Sequence, residues 1–254
     1  MELLVCIKQV PDDSVSVTLD GAGQPKLEGI TPVVNAFDTY ALEMAARFKE
    51  AHGGAVSVLT CGDPEGLTPS LRSCLSVGAD KAFVVPCADD CGVVVRSRLL
   101  AQAAQQAAGT PFDVIFCGSE STDLSSSELG ARLAKELGLP LVVNVLALEP
   151  RESGLTVKQE TEDGYRTVEV PCPCVLTVVK PDYEPRYPSI KSKMAARKAP
   201  IGKLELEAPA AQDTVCHKAF VAPAVRQSGE KIVEKEAAVA VSRAMEILAG
   251  RKLV

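Results

Sequence analysis

The sequence predicts an α/β protein: a mainly parallel sheet with helices on both faces, a β-rich extension and a C-terminal helical arm. Three observations carry this. Short apolar runs alternate with amphipathic helical stretches over the first two-thirds of the chain. From Leu141 onward closely spaced β-like segments replace that alternation, and past residue 226 one amphipathic helical pattern closes the chain. Repeated strand–helix units imply parallel strands joined by right-handed crossovers, with both sheet faces covered.

Leu3 to Val10 reads as a buried strand interrupted by Lys8. Val15 to Leu19 alternates apolar and polar residues ahead of Gly21 and Gly23, which predicts a hairpin. Asn35 precedes a helix through Asp38, Leu42, Ala45, Ala46 and Lys49, which Gly53-Gly54 ends. A strand over Ala55 to Thr60 follows, then a helix from Pro69 to Val77 stopped by Gly78. Next come a strand over Lys81 to Pro86, a helix from Gly92 to Ala108, a strand over Asp113 to Cys117 and a helix ending near Gly138. The β-like segments are Leu141 to Leu148, Leu155 to Gln159, Thr167 to Val170 and Cys174 to Val179. The basic stretch Tyr187 to Lys198 lacks core periodicity and reads as a solvated face, and the Ala/Pro-rich segment Glu207 to Arg226 reads as a linker. Glu230 to Gly250 is the terminal helix. Such a helix can dock on a partner or fold back on its own domain.

Composition narrows the function. The chain has 254 residues, 46% hydrophobic and 24% charged, enough for a sizeable core. A net charge of -6, 4% aromatics and no Trp argue against nucleic-acid binding. The opening Met1 to Val10 has no basic n-region or small-residue cleavage site, and no apolar run approaches the roughly 20 residues needed to span a bilayer, so a cytoplasmic protein is expected. The nine cysteines form no paired C-x-x-C clusters, and the histidines are only His52 and His217, the latter beside Cys216. Cys6, Cys61, Cys74 and Cys117 stand in apolar contexts suited to buried thiols, and no metal site is expected.

The most informative stretch is Gly118-Ser-Glu-Ser-Thr-Asp-Leu-Ser-Ser-Ser-Glu-Leu-Gly130, between a strand and a helix. Unpaired N–H groups and the positive end of a helix dipole favour an anion there. The same residues also suit helix capping, with Ser125 and Glu128 placed for a capping box. Two further segments bear on the choice. Val5-Cys-Ile-Lys-Gln-Val-Pro-Asp12 ends a strand where backbone groups could read an adenine ring or ribose, and Asn35-Ala-Phe-Asp38 starts a helix that could cap itself or meet a ligand. Val157 to Arg166, Pro173 to Thr177 and Tyr183 to Ile190, followed by the basic run Lys191 to Lys198, complete the pattern.

Taken in order, these segments resemble the β subunit of electron transfer flavoprotein over nearly the whole chain, and Lys8-Gln-Val-Pro-Asp12 is closest to its bifurcating and nitrogen-fixation-linked branch. The resemblance implies an adenine nucleotide alpha hydrolase-like sheet domain over residues 1–200, and a linker and helical arm over 201–254 that docks on a partner. It implies a heterodimer with an α subunit that carries most of the principal FAD, while the β subunit holds a second FAD or AMP. Carried over by motif, the nucleotide contacts are Cys6, Asn35, Ala36, Phe37, Asp38, Cys61, Gly118, Ser119, Glu120, Ser121, Thr122, Asp123, Leu124, Ser125, Ser126, Ser127, Glu128 and Leu129. Ile190 takes the place of the apolar anchor in the loop that meets a flavin-containing dehydrogenase.

Departures from the family pattern sharpen these expectations. Leu124 replaces a Gly that would let backbone approach a phosphate, and Glu128 puts a carboxylate where Gln is usual. Gln159 replaces the usual Arg and Arg166 the usual Glu, a reciprocal exchange that would keep a polar contact. The alternative class, a nucleotide-hydrolysing or adenylylating α/β enzyme, would need a Walker-type or equivalent loop that is not found. A nicotinamide dehydrogenase would need G-x-G-x-x-G where Lys8-Gln-Val-Pro11 stands. No nucleophile–base pair is evident, which suits a protein whose flavin carries the chemistry.

Overall fold

A computed structural model describes residues 1–88, 91–107, 109, 111–207, 219–222, 224 and 228–254. Most of the expected linker, with Cys216 and His217, lies outside these described residues.

The first expected strand is two. β1 (Glu2–Cys6) is central to the sheet, and β2 (Gln9–Pro11) leaves it to pair with β5 (Pro32–Val34). The break falls at Lys8 because its N–H is drawn to the Asp38 carboxylate. The hairpin between them is short: β3 (Thr18–Leu19) pairs with β4 (Pro25–Lys26) around a turn in which Asp20 Oδ1 accepts from Ala22 and Gln24 N–H. Helix α1 spans Ala36–His52 and β6 spans Ala55–Gly62. Helix α2 (Pro64–Ser76) starts five residues before the expected Pro69, because Asp63 caps it through Glu65 and Gly66 N–H and Pro64 suits the first helical position. Then follow β7 (Lys81–Pro86), α3 (Val93–Ala107), β8 (Val114–Gly118) and α4 (Leu129–Leu137).

The β-rich segment extends the same sheet rather than forming another. β9 (Leu141–Arg151), β10 (Gly154–Thr161) and β11 (Gly164–Val170) make an antiparallel meander at one edge, and β12 (Cys174–Val178) inserts in parallel between β9 and β8. The basic run is ordered as helix α5 (Ile190–Lys198), capped by Ser189, with its end held by Arg72 bonding the Ala196 and Ala199 carbonyls. β13 (Ile201–Lys203) then joins β7 as the far edge, so the main sheet continues past residue 200. The nine strands run β11-β10-β9-β12-β8-β1-β6-β7-β13. Helix α6 (Ala237–Gly250) begins later than Glu230 and has no buried residue; Glu230 and Glu234 precede it and pair with Arg243. Among the described residues no helix is long and apolar enough to cross a membrane.

Alternation along β1 divides the core. Leu3 and Val5 pack on one face with Leu42 and Ala45 of α1 and Leu71 of α2, whereas Leu4 and Cys6 pack on the other with Leu99 of α3 and Leu133 of α4. Two glycines set how closely layers approach. A Cβ at Gly118 would lie 2.5 Å from Asp38 Oδ1 and 2.7 Å from Phe37 Cβ, and a Cβ at Gly130 would overlap Thr177 Cγ2. Gly130→Ala should therefore lower the urea-unfolding free energy by about 1–3 kcal/mol. Thr177→Ser, which keeps the hydroxyl bonded by Asn144 N–H but removes that methyl, should restore part of the loss in the double variant.

Candidate functional site

The chain leaves β1 through α1 toward β6 on one side, and leaves β8 through α4 toward β9 and β12 on the other. Neighbouring parallel strands that diverge in this way open a crevice at their carboxyl ends, where ligands of open α/β sheets sit. The first turn of α1 lies over this crevice. Asp38, 6% exposed, accepts from Lys8 N–H through Oδ2 at 2.7 Å and from Gly118 N–H through Oδ1 at 2.9 Å. One carboxylate thus ties together the chain segments that leave β1 and β8. Burial pushes its carboxyl up to about 7, opposed by the two backbone donors, by Asn35 and by Lys8.

Asn35 does not cap α1 with its side chain. Its Nδ2 donates to Glu120 O at 2.8 Å and its Oδ1 accepts from Thr122 N–H at 3.1 Å, fastening the helix start to the loop after β8. Lys8 Nζ reaches the same loop, donating to both Asp123 oxygens at 2.7 Å and to Ser121 Oγ at 3.3 Å.

The capping box expected from Ser125 and Glu128 is not formed. No side chain caps α4; Ser125 and Ser127 adopt left-handed backbone with φ of 47° and 53°, and Ser125 Oγ turns back toward Ser121 O. Left-handed residues other than glycine are held at a cost and concentrate where ligands bind. Glu128 pairs along its helix with Arg132, whose Nε lies 2.7 Å from Oε2, so its carboxylate is compensated by a neighbouring cation. Leu124 is 56% exposed.

Of the residues singled out in the sequence, Asn35, Asp38, Gly118, Glu120, Ser121, Thr122 and Asp123 share one hydrogen-bonded cluster. Ala36 and Phe37 open α1 beside it; Ser119 donates its N–H to Val178 O, and Ser126 and Leu129 frame the start of α4. Cys6 ends β1 with its thiol buried in the core, so only its backbone is at the edge. Cys61 stands near the end of β6, the strand beside β1, and also belongs to the group described below. The Lys8 side chain was missed as a site group, and its signal was a lysine inside an apolar run.

A second surface lies along α1. Glu43, Arg47 and Glu50 form one stripe, and Arg186 closes on it: Nε lies 2.8 Å from Glu43 Oε2, Nη2 3.0 Å from Glu50 Oε2, and Nη1 meets Glu50 Oε1. Burial pushes the Glu43 carboxyl up, but the hydrogen bonds from Arg186 and Arg47 outweigh it and hold the group below its ordinary value. Arg47 also stacks 4.0 Å over Tyr183. These contacts fix the segment before α5, in which Tyr187 is 95% exposed, and Ile190, the first residue of α5, is 82% exposed. The Gln159–Arg166 exchange keeps its contact: the two face each other across β10 and β11, with Arg166 Nε donating to Gln159 Oε1 at 2.6 Å.

The donors at the crevice suit a nucleotide phosphate: one ammonium, paired here with Asp123, the Ser121 and Ser125 hydroxyls, and a helix start without a side-chain cap. Among the described residues no group of three or more His, Cys, Asp or Glu is arranged to hold a metal ion.

Comparison with known proteins agrees with this architecture. An electron transfer flavoprotein domain model matches residues 28–209. The chain is similar to the electron transfer flavoprotein subunit beta of Megasphaera elsdenii, at 32% identity over 273 aligned residues that cover 100% of both chains. The corresponding subunit of Thermoanaerobacterium thermosaccharolyticum is 35% identical over 194 residues, 75% of this chain and 73% of that one. Subunit CarD of the caffeyl-CoA reductase-Etf complex of Acetobacterium woodii is 33% identical over 202 residues, 79% and 77% of the two chains.

Asp38 makes a pH-dependent prediction. Its folded-state value is raised above the ordinary carboxyl value near 3.8, so its contribution to stability is present at low pH and is lost as pH rises through about 7. The stability of the native chain relative to Asp38→Asn should therefore fall between about pH 4 and pH 7, measured by urea unfolding. A difference that is flat across that window would show that the carboxyl titrates at its ordinary value.

Proposed function

The chain belongs to the electron transfer flavoprotein family, as a β subunit serving electron transfer, and on that premise we propose that it holds an adenine nucleotide in the crevice between β1 and β8 and pairs with an α subunit. The observation that carries the reading is Lys8 Nζ, aimed from the end of β1 into the hydroxyl-rich loop after β8. The second FAD of the bifurcating branch and the AMP of the conventional branch share an adenylate phosphate, the group these donors suit. Lys8 is paired with Asp123 in this structure, so phosphate binding would exchange one anionic partner of the lysine for another. Glu128, answered by Arg132, opposes a phosphate less than a lone carboxylate would. The flavin supplies the redox chemistry when bound; this chain's residues bind and orient.

Partner contacts follow from the other surfaces. The principal FAD lies mostly on the α subunit, and α6, with Val239, Val241 and Met245 exposed, docks on that subunit. A flavin-containing dehydrogenase meets the segment around Ile190, where an exposed apolar residue stands among Lys191, Lys193 and Arg197. A cytoplasmic setting suits the free thiols, since all eight cysteines among the described residues are unbridged.

Nucleotide analysis of the denatured α–β complex tests the central point. Two FAD per heterodimer identifies the β-site ligand as FAD, and one FAD with one AMP identifies it as AMP. One FAD and no further adenine nucleotide would overturn the β-site reading. Lys8→Met should lower the β-site nucleotide content and leave the α-subunit FAD in place.

Ile190→Ala should slow electron transfer from the dehydrogenase roughly tenfold, the loss of one interface anchor, with bound flavin unchanged. Arg186→Ala should slow the same step by freeing the segment that presents Ile190. Loss of flavin from either variant would place these residues in cofactor binding instead.

A further inference from the structure

A second polar cluster, which includes Cys61 from the motif-matched nucleotide contacts, sits at the carboxyl ends of β6 and β7. Arg96, near the start of α3, donates through Nε to Cys91 O at 2.6 Å and through Nη1 to Cys61 O at 3.3 Å, and Nη1 lies 3.9 Å from Cys61 Sγ. Cys61 pairs in register with Val85, and Cys87 follows two residues later with its N–H bonded to Gly62 O at 3.3 Å. An offset of two residues places both thiols on the same sheet face, where Cys61, Cys87 and Cys91 pack against one core cluster while staying partly open to solvent.

We infer that Cys61 and Cys87 form an oxidisable dithiol that reacts with peroxides, Cys61 attacking and Cys87 resolving. Cys61 sulfur attacks one peroxide oxygen, the O–O bond breaks, and Cys61 sulfenic acid forms with release of water (from hydrogen peroxide) or an alcohol (from an organic peroxide). Cys87 sulfur then attacks the sulfenic sulfur, a second oxygen leaves as water, and a Cys61–Cys87 disulfide remains. Two thiols are oxidised, and one peroxide is reduced by two electrons.

The surroundings suit these roles. The hydrogen bond from the Cys87 thiol and the Arg96 guanidinium hold the Cys61 thiol below its usual range against the effect of burial. The other thiols are poorer nucleophiles: burial pushes Cys74 and Cys174 up to about 12, and Cys91 rises to about 11. Cys87 lies beyond the end of β7, where backbone can shift to close the bond.

Trypsin separates the sulfurs. Cys61 falls in peptide 50–72, Cys74 in 73–81, and Cys87 with Cys91 in 82–96. The full reduced chain is pulsed with iodoacetamide at neutral pH, or treated with one equivalent of hydrogen peroxide and then alkylated, and peptides are read by mass spectrometry. Cys61 should alkylate about tenfold faster than Cys87 or Cys91, and Arg96→Gln should shrink that lead. Peroxide should link peptide 50–72 to 82–96 through Cys87, reversibly with dithiothreitol. Cys87→Ser should abolish the link and leave a Cys61 sulfenic acid that dimedone traps, whereas Cys91→Ser should keep the link. A Cys61 no faster than its neighbours, an unlinked peptide 50–72, or a bond confined to Cys87 and Cys91 would overturn the inference.

Discussion

The Asp38 carboxylate is the contact on which the rest of the site depends. Strands β1 and β8 are adjacent, yet the chain leaves them in opposite directions, so nothing in the sheet ladder joins their trailing ends. Asp38 supplies that joint by accepting from Lys8 N–H and Gly118 N–H at once. A buried carboxylate is costly unless its oxygens are satisfied, and backbone donors on two segments satisfy both only in one geometry. That requirement accounts for the glycine at 118, since a side chain there would displace the carboxylate or Phe37.

Helix α1 also relates two surfaces that are far apart in sequence. Its first turn holds the crevice through Asn35 and Asp38, and two turns of the stripe Glu43, Arg47 and Glu50 hold the segment that ends at Ile190. Glu43, 3% exposed, is answered by two guanidinium groups, so removing either leaves a buried charge short of a partner. A cleft of about 550 Å³ is lined by this segment together with α1 and α2. Position, more than affinity, is what such a brace contributes.

Electrostatic compensation recurs at short range. Lys8 is balanced by Asp123, Glu128 by Arg132, and Gln159 with Arg166 retains a cross-strand hydrogen bond after an exchange of residue types. In the last two pairs a residue that departs from the family pattern finds a partner close by. The loop after β8 is anchored by Asn35 and Lys8, and Leu124 turns to solvent.

Local pattern in the sequence determined the layered architecture, because periodicity and glycine or proline punctuation are properties of neighbouring residues. The main-sheet strands and the helices between Leu3 and Gly138, the hairpin turns and the run of the loop from Gly118 to Gly130 were legible in this way, whereas the pairing of β2 with β5 was not. Their boundaries failed where a distant group intervened: Lys8 breaks β1 because Asp38 binds its N–H, and α2 starts at Pro64 because Asp63 caps it. Order in the basic run was also invisible, since α5 is held by Arg72 rather than by an apolar stripe. Only the tertiary structure decided that Asn35 ties a loop instead of capping its helix, that Ser125 and Glu128 do not form a box, and that Cys61 stands beside Arg96. Hydrogen-bond partners separated by 30 to 115 residues compete with local ones, and which of them wins is set by how the sheet brings the segments together.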